Sequence, residues 1–79
     1  MLFNTRQWEY IQKGYHLTDR QIQIAKSVCD GLEIVRIAKK YNITYNTART
    51  HIRNICRKIS ARGRAELILR LIQIIKNTR

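Results

Sequence analysis

The sequence predicts an all-α fold, a compact bundle of four core helices with a short helix or arm ahead of them. Three observations predict it. The 79 residues include no proline and three glycines, so little in the chain interrupts a helix. Apolar residues recur at three- and four-residue spacing along most of its length, the period of helices with one buried face. Capping residues punctuate these stretches, with Asn4, Thr18 and Thr44 ahead of them and Gly14, Gly31 and Asn42 behind. Abundant isoleucine is the feature that favours strands instead. The size bounds one domain, small enough that help from a second subunit is unsurprising.

Residues 1–16 read as an N-terminal arm or short helix, helical over 4–13. Asn4 caps it with Gln7 at the third position, Phe3 and Trp8 form a hydrophobic staple, and Gly14 supplies the stop. Residues 17–79 read as the main domain. Its first helix is capped by Thr18 with Gln21 closing the box, and ends at Asp30-Gly31. Ile22, Ile24, Ala25, Val28 and Cys29 form its buried stripe. A shorter helix from about Glu33 to Lys40 buries Ile34, Ile37 and Ala38, and Asn42 suits the left-handed residue that follows.

After Asn42-Ile43-Thr44, Thr44 caps a helix over about 45–59. At roughly 100° per residue, Ala48, Ile52, Ile55, Cys56 and Ile59 fall on one side. Asn46, Arg49, Thr50, Arg53 and Arg57 fall almost opposite. This separation is the strongest pattern in the chain. The last helix, about 64–77, behaves differently. Ala65, Leu67, Ile68, Leu69, Leu71, Ile72, Ile74 and Ile75 spread over roughly 220° of its circumference, about twice the arc one core contact needs. A second copy of the helix is the simplest cover for the surplus, placing Ile68, Leu71, Ile72 and Ile75 at a dimer interface.

The charge points to a polyanion. The formal net charge is +11, and no acidic residue lies between Glu33 and Glu66. Arg36, Lys39, Lys40, Arg49, Arg53, Arg57, Lys58, Arg62 and Arg64 fall in that interval, interleaved with the buried stripe above. A folded helix with an apolar back and an arginine front fits double-stranded DNA. A membrane surface fits less well, because the basic helix pairs its charge with a compact core stripe and lacks exposed large aromatics. No apolar run approaches the roughly 18–20 residues that span a bilayer. Nor does a secretion signal stand at the start, so a cytoplasmic, nucleoid-associated location is expected. Cys29 and Cys56 read as reduced, and with His16 and His51 they have no metal-ligand spacing. No paired carboxylates, glycine-rich phosphate loop or nucleophile–base pair is visible, so no enzyme activity, cofactor or small-molecule ligand is expected.

A short helix, a tight turn and a second helix with a polar outer face make a helix-turn-helix, whose second helix enters the major groove. Asn46, Arg49, Thr50 and Arg53 are then the base-reading candidates. Arginine suits the O6 and N7 of guanine, and asparagine suits adenine. The phosphate candidates flank them: Thr44, Tyr45 and Thr47 at the helix start, where free N–H groups also attract anions; Arg57, Lys58 and Arg62 beyond it; Lys39 and Lys40 before it; and Thr18. His51 flanks the apolar side, and its reading is split between a structural hydrogen bond and a phosphate contact.

These residues resemble the LuxR/GerE-type DNA-binding domain. Leu17-Thr18-Asp19-Arg20-Gln21 is similar to its L-T-x-R-E/Q opening, and Gly31-Leu32 with Ile37-Ala38 to its G-L-x-x-x-x-I-A. Ile43-Thr44, Thr47-Ala48-Arg49, His51, Ile55, Lys58-Ile59 and Arg64 continue its pattern, so that the likeness covers about 17–75. The resemblance implies a four-helix domain that dimerises through its last helix and reads DNA with its third, from Arg49, Thr50 and Arg53. Arg49 stands for the usual Lys, Ala48 for Val, and Gln21 for Glu. Ala61 stands for a larger apolar residue and Gly63 for a polar cap, which implies a looser last turn. With sixteen residues ahead of the motif, the chain resembles the stand-alone members, without a receiver or ligand-binding domain.

The expectation is a transcriptional regulator that binds a two-part DNA site as a homodimer. The alternative is an interaction module that forms mixed dimers with a full-length relative or joins an RNA polymerase-associated partner, including a role like that of sigma-factor region 4.

Overall fold

The computed structural model describes residues 3–77. Five helices follow in order: α1 (Thr5–Tyr15), α2 (Asp19–Cys29), α3 (Ile34–Lys40), α4 (Tyr45–Ile59) and α5 (Arg64–Lys76). Helix starts follow the capping chemistry of the sequence. Asn4 and Thr18 each accept a hydrogen bond from the backbone N–H three residues on, and Oε1 of Gln7 and of Gln21 accepts one from the cap's own N–H. Phe3 packs edge-on against Trp8 with ring centroids 5.1 Å apart, which fixes the entry into α1.

Four helix ends share one device. A left-handed residue follows the helix, and the next residue's N–H reaches back five positions to a helix carbonyl. His16 (φ 56°), Gly31 (φ 86°), Asn42 (φ 52°) and Ser60 (φ 64°) are the left-handed residues. The returning bonds run from Leu17 to Gln12, Leu32 to Ser27, Ile43 to Ala38 and Ala61 to Cys56, at 2.8–3.1 Å. Each donor belongs to an apolar residue that packs on the core. Gly14 was expected to stop α1 and does not. It lies inside the helix, which continues through Tyr15 so that Tyr15 rests on the core and Leu17 enters it.

The core gathers around α4, which packs against α2, α3 and α5. Ile24, Ala25 and Val28 of α2, Ile37 of α3, Ala48 and Ile55 of α4 and Leu67 and Leu71 of α5 are completely buried. The expected stripe of α2 is in place, with Cys29 and, on α3, Ile34 only half-buried. The first helix is an integral layer. Trp8 and Ile11 are buried, and α1 packs against both α2 and α5. That layer covers part of the apolar circumference of α5, for which a second copy was the expected cover. Among the described residues no helix is long and apolar enough to cross a membrane.

Candidate nucleic-acid interface

Helix α3, a four-residue turn and α4 form the expected helix-turn-helix. The turn holds because Asn42 takes the left-handed conformation and Thr44 the extended one, with its Oγ1 accepting from the N–H of Thr47 at 3.1 Å. Ala48, Ile52, Ile55, Cys56 and Ile59 are all buried against the body. Asn46, Arg49, Thr50 and Arg53 are all exposed on the other side, together with Arg57. The four base-reading candidates therefore share one accessible face. The first turn of α4 contains no acidic residue, so its free N–H groups keep their pull on anions.

Asn54 belongs with this face and was missed. It is half-buried and shares a shallow cleft of about 240 Å³ with Asn46, Thr47, Thr50 and His51. The four-residue steps from Asn46 to Thr50 and from Thr50 to Asn54 were the available signal. His51 is half-buried as well, on the flank of the apolar stripe.

Two phosphate candidates change character. The ammonium of Lys58 donates to the carbonyl of His16 at 2.7 Å and to Oε1 of Gln21 at 2.9 Å. Lys58 thus pins the end of α4 to the end of α1 and the start of α2; it is a fastener and not a free cation. Thr44 both accepts from Thr47 and donates its hydroxyl proton to Thr47 Oγ1 at 2.9 Å. The proton left to offer outward is that of Thr47. Tyr45, Lys39, Lys40, Arg57 and Arg62 are exposed, and Thr18 is exposed while capping α2. Arg36, Lys39 and Lys40 line a shallow depression of about 530 Å³ with Leu32 and Val35.

On α5 the expected interface set divides. Leu71 is completely buried with Leu67 in the chain's own core and offers nothing to a partner helix. Ile68, Ile72 and Ile75 are half-buried, and Leu69, not singled out from the sequence, is 59% exposed. The unpartnered edge of α5 is therefore Ile68, Leu69 and Ile72 with Ile75.

Both cysteines are thiols at neutral pH. Burial, reinforced by the Asp30 carboxylate and opposed by Arg64, pushes Cys29 up to about 11. Burial and Glu66 raise Cys56.

Comparison with known proteins gives a family. The model of the luxR family of bacterial regulatory proteins (GerE) matches residues 15–71. The nitrate/nitrite response regulator protein NarP of Escherichia coli (strain K12) is 33% identical over 57 residues, which is 72% of this chain and 26% of that protein. The chain spans about a quarter of the length of that relative. No solved structure matches significantly.

Proposed function

Because the chain belongs to the luxR family of bacterial regulatory proteins, whose helix-turn-helix module serves DNA binding in transcription regulation, we propose that it is a sequence-specific regulator that reads double-stranded DNA as a homodimer. In this reading α4 lies in the major groove. Arg49 and Arg53 read guanines, with Asn46 and Thr50 beside them. Tyr45, Thr47, Arg57, Arg62, Lys39 and Lys40 position the helix on backbone phosphates. The α5 edge of Ile68, Leu69, Ile72 and Ile75 pairs with its symmetry mate, and the target is correspondingly two-fold.

The observation that carries the reading is the two-sidedness of α4. Five buried residues hold it to the body, and the opposite face presents two amide or hydroxyl side chains and three arginines, all exposed. A solvated surface helix has no need to keep acidic residues off that face and off its first turn.

Selection from a randomised duplex library at ~150 mM salt tests it, because non-specific electrostatic binding is weakened there while base contacts persist. A two-fold motif should emerge, and Arg49→Ala should relax preference at one base pair of each half-site by about 1–3 kcal/mol. Recovery of unenriched DNA would refute base reading and favour the mixed-dimer role instead.

A further inference from the structure

Tyr41 opens the turn between α3 and α4, and its side chain is fixed at the far end. Its hydroxyl donates to the carbonyl of Gln23 at 3.1 Å and lies 3.2 Å from Ser27 Oγ, both on α2. The ring so held carries two cations. The guanidinium of Arg20 lies over it at 5.1 Å from the centroid, and its Nη1 donates at 3.5 Å to the Tyr41 carbonyl. The ammonium of Lys40 lies 5.5 Å from the same centroid. Both side chains belong to exposed residues, and among the described residues neither makes an ion pair.

This arrangement is poised for an anion. Each cation gains from the face of the ring, but gathering two like charges on one aromatic is unfavourable until a negative group joins them. Stacking occupies the face of the guanidinium and leaves most of its edge donors free for a planar or tetrahedral oxyanion. A cation already held in place also loses less freedom when it binds. The position in the chain selects the anion. Tyr41 stands three residues before Thr44, the cap of α4, whose first turn is itself free of acidic residues.

We propose that Arg20 and Lys40, held on the Tyr41 ring, form a clamp for a DNA backbone phosphate beside the groove that α4 enters. The clamp rests on the DNA-reading role of α4 and adds to it a contact from α2, which lies outside the helix-turn-helix. Tyr41 is a positioning residue here, and Arg20 the new phosphate ligand.

The test is the salt dependence of duplex affinity, measured by fluorescence anisotropy on the selected site. Arg20→Gln should reduce the slope of log K against log salt by about 0.9, equivalent to a roughly eight-fold loss at ~0.1 M salt. Lys13→Gln removes the same charge from α1, outside the helix-turn-helix, and should leave the slope unchanged. Tyr41→Leu keeps both cations and should weaken binding two-fold or more with a slope within 0.3 of the wild type, on the order expected when one flexible side chain must be ordered anew. Far-UV circular dichroism confirms that each variant is folded. If Arg20→Gln keeps the wild-type slope, or if Lys13→Gln lowers it equally, the clamp is overturned while the α4 reading stands. If the wild-type protein binds no duplex at all, both fall together.

Discussion

Lys58 offers the sharpest test, because its position in the sequence and its position in the structure make opposite demands. Replace it with alanine. The sequence places Lys58 among the arginines of the DNA face, so the variant would lose one phosphate contact, reducing the salt slope by about 0.9 with little change in stability. The structure places its ammonium on His16 O and Gln21 Oε1 instead. A hydrogen bond from a charged donor contributes about 1.5–3 kcal/mol. The two bonds do not count equally. The exposed His16 carbonyl recovers water, whereas Gln21 is 6% exposed and keeps only the Thr18 N–H at 2.9 Å. The expected net loss is therefore close to one such bond, about 1.5–2 kcal/mol, or roughly 6–15 °C in Tm for a domain of this size. Arg57→Ala should behave in the reverse manner, with Tm within about 2 °C and the slope lower by about 0.9. Thermal melts by circular dichroism and anisotropy titrations over a range of salt read both quantities. A Lys58→Ala protein that melts with the wild type and loses about one unit of slope would refute the fastener.

On α5, Leu69→Lys should abolish self-association in sedimentation velocity while leaving Tm within about 2 °C, whereas Leu71→Ala should destabilise by about 2–5 kcal/mol in urea unfolding. Similar losses of stability for both would show that the exposed edge is not distinct from the core. At the end of α4, Ser60→Gly relieves a left-handed residue at φ 64° and should raise stability by about 0.5–1 kcal/mol in the same unfolding assay, a gain absent if the serine side chain earns its place by a bond of its own. Cys29, raised to about 11 from a usual 9.0, should alkylate about a hundred-fold more slowly than a free thiol at pH 8, because each unit of pKa removes ten-fold in thiolate. The sign for stability follows: the thiol form is favoured by folding, so its contribution is complete below pH 9 and is lost as pH rises toward 11. A rate equal to that of the free thiol would show that the site is open.

What the sequence disclosed and what it withheld divide by distance along the chain. Asn4, Thr18 and Thr44 were legible as caps because a cap is an oxygen at a fixed offset from an N–H three residues on. The two faces of α4 were legible because one stripe of core contact is encoded within fifteen residues. Gly31 and Asn42 announced their left-handed turns by residue type. His16 and Ser60 did not, since what fixes those turns is the packing of Leu17 and Ala61 after them. The hydrogen bonds of Lys58 were hidden for the same reason: its partners lie 37 and 42 residues away, and charge alone cannot tell a fastener from a ligand. On α5 the apolar residues were visible but not the order in which neighbours claim them. The packing of α1, α2 and α4 against α5 decides that Leu71 is inside and Leu69 outside.

The repeated way in which the helices end has a consequence for how fast the domain is made. Each of four chain reversals is closed by a bond spanning five residues, so every helix can set the direction of the next before any distant contact exists. Folds built from such local closures reach the native state in microseconds to milliseconds. The chain also contains no proline, which removes the slow isomerisation that delays many domains by tens of seconds. Folding of this domain should therefore be over within moments of its synthesis and should not limit how soon it can act.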